Sequence, residues 1–140
     1  MKIKTSSTIS TVQAPPDYFT GKAWFTYLTK DESVRCNSIK VTFEPRSRNY
    51  WHTHPEGQIL IVTEGKGYIQ KRGELVQLLL PGDVAIISAN EEHWHGASPD
   101  SVFIHIAVQP ISDNGTEVNW LKEVTEEEYN SFKVPVQIVS

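Results

Sequence analysis

Two pairs of histidines constrain the fold of this chain more than any other feature. His52 and His54 are separated by one residue, and His93 and His95 repeat this spacing further along the chain. On an extended strand, residues two positions apart point to the same face of the sheet. Each pair therefore predicts a strand that presents two imidazoles side by side. Metal sites need lone-pair donors from different segments, so the pairs favour a β fold that brings these strands together around one metal ion.

A side-chain amide and two turn signals accompany the histidines. Gln58 lies four positions after His54, beyond Pro55-Glu56-Gly57, and carries an amide oxygen that can also bind a metal. A second turn signature, Pro81-Gly82-Asp83, precedes the second pair. A lone histidine is more often a surface or core residue than a ligand. Two equally spaced pairs with an amide at a fixed offset favour the metal site over that structural interpretation.

The middle of the chain is typical of an all-β protein. Short segments rich in β-branched and aromatic residues alternate with Gly, Pro and Asn turns at a spacing of about 8–12 residues, which predicts a sandwich or barrel. The polar residues 30–37, which include Cys36, are predicted to form a loop, and Cys36 is interpreted as structural or idle. The predicted strands are residues 23–28, 38–43, 58–62, 68–71, 75–80, 84–88, 93–97 and 102–109.

Length and composition predict a single domain over residues 1–140. Residues 1–22 are expected to form an irregular arm, because the segment Ala14-Pro15-Pro16-Asp17 fits neither a regular helix nor a central strand. Residues 38–110 are expected to form the barrel, and residues 118–133 a short helical segment.

The carboxyl-terminal segment carries a helix start signal. Thr125 and Glu128 fit a capping box, and the helix is expected to run to about Phe132 before Pro135. Residues 136–139 are expected to add an edge strand or to contact a partner subunit.

Charge and cysteine content limit the function classes. The net charge of −4 argues against a nucleic-acid or anionic-membrane partner, because both attract basic patches. One cysteine cannot form an intrachain disulfide. The first residues lack the apolar core of a signal peptide, and no apolar run approaches membrane-spanning length. A cytoplasmic protein that acts on a small molecule is therefore expected.

The histidine motif resembles the two-part signature of the cupin family. The signature is carried by His52-x-His54-x-x-x-Gln58-x6-Gly65, followed by Pro81-Gly82-Asp83 and His93. The resemblance implies a small jelly-roll barrel that supplies three His and one Glu or Gln to a divalent metal. Carried over to this sequence, the ligands are His52, His54, Gln58 and His93, and the metal is one divalent transition ion, either manganese, iron, nickel or zinc.

The resemblance extends over roughly residues 14–130 and is strongest for small bacterial single-domain cupins, which include carboxymuconolactone-decarboxylase-like cupins and manganese-dependent hydroxynitrile lyases. Three positions depart from the usual pattern. Arg46 stands where the first motif often begins with Gly, Asn90 ends a segment that often reads Pro-Pro-Gly, and Ala97 replaces an Asn. None of these changes removes a ligand. Asn90 is expected to adopt the left-handed conformation that Gly would supply.

The predicted ligands are all neutral, which favours Lewis-acid chemistry and leaves no ligand carboxylate to act as a base. The candidate bases are His95, which shares a strand face with His93, and His105, which shares one with Ala107 and Gln109. His105 could equally well only support a ligand by hydrogen bonding. Trp51 and Trp94 alternate with the ligands and are expected to point away from the metal. The predicted substrate-binding residues are Ile39, Val41, Ala107 and Gln109.

The other face of the 102–109 strand is formed by Val102, Ile104, Ile106 and Val108, and this purely apolar face is predicted to be core. Three functions follow from the sequence. The first is a metal-dependent lyase, isomerase or decarboxylase that acts on a small carbonyl or hydroxy compound. The second is a dioxygenase at the same metal site, and the third is a small-molecule-binding protein without catalysis. A homodimer is also expected, from the proline-rich arm, the apolar tail 134–139 and the family resemblance.

Overall fold

Two antiparallel sheets form a jelly-roll barrel in a computed structural model, which describes residues 1–134. In spatial order, the strands of the first sheet are β1 (Thr11–Gln13), β3 (Ala23–Asp31), β4 (Cys36–Phe43), β12 (Phe103–Pro110), β7 (Gln58–Gly65) and β10 (Val84–Ile87). The second sheet contains β13 (Asn119–Trp120), β6 (His52–Thr53), β11 (His93–Ala97), β5 (Arg48–Asn49) and β2 (Phe19–Thr20), and β8 (Gly67–Lys71) joins β11 to β9 (Gln77–Leu79).

The predicted all-β fold is confirmed, and the strand bounds differ in detail. The loop expected over residues 30–37 is a tight turn, because β3 runs to Asp31 and β4 begins at Cys36. The Asp31 carboxylate accepts a hydrogen bond from the backbone N–H of Ser33 at 2.9 Å, which closes this turn. The arm is more regular than expected, since β1 pairs with β3 and β2 pairs with β5.

The apolar face of β12 differs from the sequence prediction, whereas the face of His105, Ala107 and Gln109 lines the interior of the barrel, as predicted for a pocket wall. Phe103 and His105 are fully buried, whereas Val102 is 41% exposed and Ile106 and Val108 are only half-buried. The barrel closes on the face that carries the histidine, and the purely apolar face points outward. Ile104 is the exception on this face, since it is buried at 9% exposure. The prediction that this face forms the core was therefore wrong for Val102, Ile106 and Val108.

The two tryptophans next to the histidines point away from them, as predicted. Trp51 and Trp94 are buried in a separate apolar cluster with Tyr68, Val124 and Tyr129, behind the second sheet. Because successive strand residues alternate in direction, this packing holds the histidines on the inner face.

The carboxyl-terminal segment covers this cluster with one short helix, α1 (Glu126–Tyr129). The predicted capping box is present: the Glu128 N–H donates to the Thr125 hydroxyl at 3.1 Å, and the Thr125 N–H donates to the Glu128 carboxylate at 2.9 Å. The helix ends before Phe132, and residues 119–120 form strand β13 rather than helix, so the predicted helical segment was too long. The expected edge strand over residues 136–139 lies outside the described residues.

Within residues 1–134, no helix is long and apolar enough to cross a membrane.

Candidate metal centre

Strands β6 and β11 place the two histidine pairs against each other inside the barrel. His52 lies opposite His93 in the register of these strands, and their ring centroids are 4.2 Å apart. The ring of His54 lies 4.9 Å from that of His52 and 5.5 Å from that of His93. All three side chains are buried. The structure therefore brings together the three histidines that the sequence predicts as ligands.

Backbone carbonyl groups fix the orientation of these three rings. The Nδ1 atom of His52 lies 2.7 Å from the carbonyl oxygen of Tyr50, and that of His93 lies 2.9 Å from the carbonyl of Glu91. The Nδ1 atom of His54 lies 2.7 Å from the carbonyl of Glu117. A carbonyl oxygen only accepts, so each Nδ1 carries the hydrogen and each Nε2 carries the lone pair.

Three buried acceptor atoms at this site have no hydrogen-bond partner among residues 1–134, namely His54 Nε2, Gln58 Oε1 and His93 Nε2. We call them the open acceptor atoms. Buried polar atoms are nearly always paired, so a cluster of unpaired acceptors needs an explanation. Two nitrogens and one oxygen with free lone pairs suit a divalent transition metal. The residues present therefore fit the group that the sequence pattern implies.

His95 lies close to the same point but has a different environment. One ring nitrogen from each of His52, His93 and His95 lies within 4.8 Å of the other two, so by distance between ring nitrogens the histidine triad among the described residues contains His95 in place of His54. However, the amide nitrogen of Asn49 lies 3.2 Å and 3.3 Å from the ring nitrogens of His95. The amide oxygen of Asn49 accepts from the backbone N–H of His95 at 2.9 Å. Because its ring is already held by an amide, His95 fits a ligand less well than His54 does.

His105 lies on β12, next to this group, with its ring centroid 4.9 Å from that of His95. It is fully buried, and neither ring nitrogen has a hydrogen-bond partner within the described part of the chain. The alternative role from the sequence, a hydrogen bond that supports a ligand, is therefore not seen. A neutral imidazole has one donor and one acceptor, and both are open on this ring.

A chain of side-chain amides runs behind Gln58. Its Nε2 atom donates to Gln109 Oε1 at 3.1 Å, and Gln109 Nε2 donates to the carboxylate of Glu117 at 3.1 Å. The side-chain amide of Asn37 donates to the other carboxylate oxygen of Glu117. The sequence pattern did not indicate Glu117 or Asn37, because both reach the site from distant segments.

Burial keeps the histidines of the candidate site neutral. It lowers the pKa of His105 to about 3 and that of His93 to about 4. The pKa values of His52 and His95 are also well below their usual range, first because of burial and then because of repulsion from neighbouring histidines. Neutral imidazole is the form that offers a lone pair to a metal or to a proton.

A cavity of about 250 Å³ opens beside the histidines. All four predicted substrate-binding residues, Ile39, Val41, Ala107 and Gln109, line it. The sequence prediction missed an aromatic part of the wall. Strand alternation on β3 could have indicated Phe25 and Tyr27, whereas no local signal pointed to Phe19 and Trp120. The lining residues missed from the sequence include Phe19, Phe25, Tyr27, Phe43, Asn49, Glu117 and Trp120.

Asn90 confirms the expected turn before β11. Its φ of 63° lies in the left-handed region, as predicted for the position where Gly is usual. Its backbone N–H donates to the carbonyl oxygen of His54 at 2.9 Å, which ties the two histidine segments together.

The structure is thus a jelly-roll barrel that brings histidines from two neighbouring segments together beside an internal cavity and forms a candidate metal centre. Comparison with known proteins agrees with this class. Residues 39–106 match the family Cupin_2, a cupin domain. The chain is 42% identical over 130 residues to the (R)-mandelonitrile lyase of Granulicella tundricola, which covers 92% of this chain and 98% of the relative. The chain therefore belongs to the cupin family.

Solved structures show the same fold. A cupin-like protein from Thermotoga maritima has a TM-score of 0.78 and 44% sequence identity, over 84% of this chain and 89% of that one. The polyketide cyclase RemF from Streptomyces resistomycificus has a TM-score of 0.70 with 18% identity, over 92% of this chain and 90% of that one. The second likeness concerns the fold alone.

Proposed function

We propose that this chain is a metal-dependent cupin enzyme that cleaves a small hydroxy compound, as a lyase of the hydroxynitrile type. The observation that carries the proposal is the set of open acceptor atoms on His54, Gln58 and His93. Leaving a buried polar atom unpaired costs about 1–3 kcal/mol. One divalent cation would satisfy all three atoms at once.

The proposed ligands are His52, His54, Gln58 and His93. Manganese, iron, nickel and zinc all accept such nitrogen and oxygen ligands. Since the four ligands are neutral, the bound ion would keep its full charge and supply Lewis-acid polarisation of a substrate oxygen. No ligand carboxylate is available as a base, so proton transfer falls to another residue.

His105 is the proposed base, with His95 beside it, because both rings are neutral and line the cavity. Burial makes them weak bases, so proton transfer to His105 would depend on Lewis-acid polarisation that makes the substrate hydroxyl more acidic. In cyanohydrin cleavage the hydroxyl loses its proton, the bond to the nitrile carbon breaks with its electron pair on cyanide, and the carbonyl forms. His105 accepts the hydroxyl proton on its open nitrogen and returns a proton to cyanide, which leaves as hydrogen cyanide. One proton is removed and one is returned, and no electrons leave the substrate.

The wall of the cavity supports an aromatic substrate. Phe25, Phe43 and Trp120 line it together with Ile39 and Val41. Aromatic rings pack well against such a wall. The relative from Granulicella is named for mandelonitrile, an aromatic cyanohydrin, so mandelonitrile is the proposed test substrate.

The experiment follows benzaldehyde release from mandelonitrile under air and under argon, with oxygen uptake recorded by electrode. Equal rates without oxygen uptake are expected, because the proposed reaction moves no electrons to an acceptor. Stoichiometric oxygen uptake, with no turnover under argon, would overturn the proposal in favour of the dioxygenase alternative. Metal binding without turnover of cyanohydrins would favour the non-catalytic alternative.

We also propose that the chain forms a homodimer through the outer face of the first sheet. Six apolar side chains form two rows across β10, β7 and β12: Val84, Ile61 and Ile106 in one row, and Ile86, Ile59 and Val108 in the next. We call them the outer apolar rows.

The outer apolar rows are unusually open to solvent for a monomer. Ile86 is 79% exposed and Val84 54%, while Ile59 and Ile61 are 42% and 38% exposed. Monomers rarely expose a contiguous apolar patch of this kind. The rows contain no charged residue, so the same face of a second copy can meet them without repulsion, as a twofold contact requires. A second copy is therefore the proposed occupant.

A further inference from the structure

The amide chain behind Gln58 has only one direction in which every hydrogen bond can be made. It starts at the carboxylate of Glu117, which accepts from Gln109 Nε2 at 3.1 Å and from the amide of Asn37. A carboxylate has no hydrogen to donate, so Gln109 must turn its NH2 group toward Glu117. The oxygen of Gln109 then faces Gln58, which donates its own Nε2 hydrogen across 3.1 Å.

This direction decides which end of the Gln58 amide faces the histidines. With its nitrogen committed to Gln109, the Oε1 atom of Gln58 remains as one of the open acceptor atoms. A glutamine amide has nearly the same shape in both orientations, so packing alone distinguishes them poorly. The reversed orientation would point an NH2 group at a cation and remove one ligand.

We propose that Glu117 is a positioning residue that sets the direction of this amide chain and so turns the oxygen of Gln58 toward the candidate metal centre. The inference rests on the proposed metal site. Residues that hydrogen-bond to metal ligands orient those ligands, and their loss typically weakens metal binding about 10–100-fold. Here the positioning group acts through Gln109, two hydrogen bonds away from the metal ligand.

Glu117 also supports a second proposed ligand by its backbone. Its carbonyl oxygen lies 2.7 Å from Nδ1 of His54. One residue in the segment before β13 therefore orients two proposed ligands, His54 just after β6 and Gln58 at the start of β7. A change of the Glu117 side chain keeps this backbone contact, which separates the role of the carboxylate from that of the main chain.

The test measures the dissociation constant for Mn²⁺ by titration calorimetry on the metal-free full chain. Glu117→Gln keeps the shape of the side chain but replaces one acceptor oxygen by a donor, so either Gln109 or Asn37 has to reverse, and reversal of Gln109 turns the amide of Gln58 as well. Mn²⁺ binding about tenfold weaker or more, the range usual for lost supporting hydrogen bonds, is therefore tested both in Glu117→Gln and in Gln109→Leu, which breaks the amide chain whichever neighbour reverses. Glu127→Gln is the matched control, because Glu127 is exposed on α1 and the same charge is removed. It should bind Mn²⁺ like the wild type.

Repeating the test in a protein that carries Gln58→Glu separates the proposed role of Glu117 in orienting the amide chain from general structural support of the site. In Gln58→Glu the ligand is a carboxylate, which has two oxygens and no N–H group. Either orientation of this side chain therefore presents an oxygen to the metal. In this protein Glu117→Gln should cause no loss of Mn²⁺ affinity. Gln109 can donate from its NH2 group to the carboxylate introduced at position 58. Its oxygen can accept from the amide introduced at position 117. Gln109→Leu interrupts the chain in its middle. It should weaken binding like Glu117→Gln, with no further loss when the two are combined.

The outcomes distinguish this inference from the proposed function. Equal losses from Glu117→Gln in the wild-type and Gln58→Glu backgrounds would assign Glu117 a merely structural role and overturn the inference. Unchanged Mn²⁺ affinity in both Glu117→Gln and Gln109→Leu would overturn it as well, with the metal site intact. A wild-type chain that binds neither Mn²⁺, Ni²⁺ nor Zn²⁺ would overturn the proposed metal site and the inference with it.

Discussion

His52 and His93 lie directly opposite each other on β6 and β11, with ring centroids 4.2 Å apart. Each ring is oriented by a carbonyl oxygen two residues earlier in its own chain segment, Tyr50 for His52 and Glu91 for His93. Two neutral imidazoles this close in a buried site are expected to share a cation, and the first prediction tests this.

The protein purified without added metal is expected to contain about one transition-metal ion per chain. His52→Ala combined with His54→Ala removes two of four proposed ligands, so the metal should be lost. His105→Ala is the control, because His105 is not a proposed ligand. Elemental analysis of the three proteins is the measurement, and a double variant with full metal content would refute the ligand assignment.

Loss of the His105 imidazole should separate catalysis from metal binding. If His105 is the base, His105→Ala keeps the metal but lowers the rate of mandelonitrile cleavage by about 10²–10⁴-fold, the usual contribution of a general base. His93→Ala should lose both the metal and the rate. Turnover rate and metal content are measured on the same samples. A His105→Ala enzyme with normal turnover would transfer the role of base to His95.

Burial of His105 should make the metal-free protein less stable in acid. Its pKa is lowered from the usual 6.5 to about 3 because the charged ring would lose its hydration. Between these values the unfolded chain binds the proton and the folded chain does not, so the free energy of unfolding falls as pH drops from 6.5 toward 3. Urea unfolding at pH 7.5 and pH 5.0 measures the change.

The control for this acid effect is His105→Gln, which removes one group that takes up a proton on unfolding. Its free energy of unfolding should depend less steeply on pH between 5.0 and 6.5 than that of the wild type. The same pH slope in both proteins would show that His105 does not contribute.

A charged substitution in the outer apolar rows should dissociate the proposed dimer into monomers. Ile86→Lys places an ammonium group on a face that meets its own copy, where two like charges would approach each other. Light scattering is expected to give the mass of a monomer for this variant and of a dimer for the wild type at micromolar concentration.

Val12→Lys is the matched control for the dimer, because Val12 lies on β1, at the opposite edge of the same sheet, and is 47% exposed. It should remain a dimer. A monomeric Val12→Lys with a dimeric Ile86→Lys would assign the contact to the amino-terminal arm instead.

The local pattern of the sequence determined the β fold, the paired histidines and the capping box. These features depend on residues within a few positions of each other: the two-residue period of a strand places His52 and His54 on one face, and Thr125 reaches Glu128 within one helical turn. Each is decided by backbone geometry that neighbouring residues alone supply. The left-handed conformation of Asn90 was predicted from the resemblance to the cupin motif, in which Gly is usual at this position.

Tertiary structure decided which face of each strand is inside and which distant residues complete the site. The two-residue period places His105 and Ala107 on one face of β12, which was predicted to line a pocket, but it does not show that Ile106 on the apolar face points outward instead of into the core. That choice depends on where the second sheet packs. Glu117 reaches Gln109 only because the segment before β13 folds back over the barrel mouth. Glu117 and Gln109 are only eight residues apart, but their contact depends on how the whole chain folds, and the spacing of residues in the sequence does not predict it.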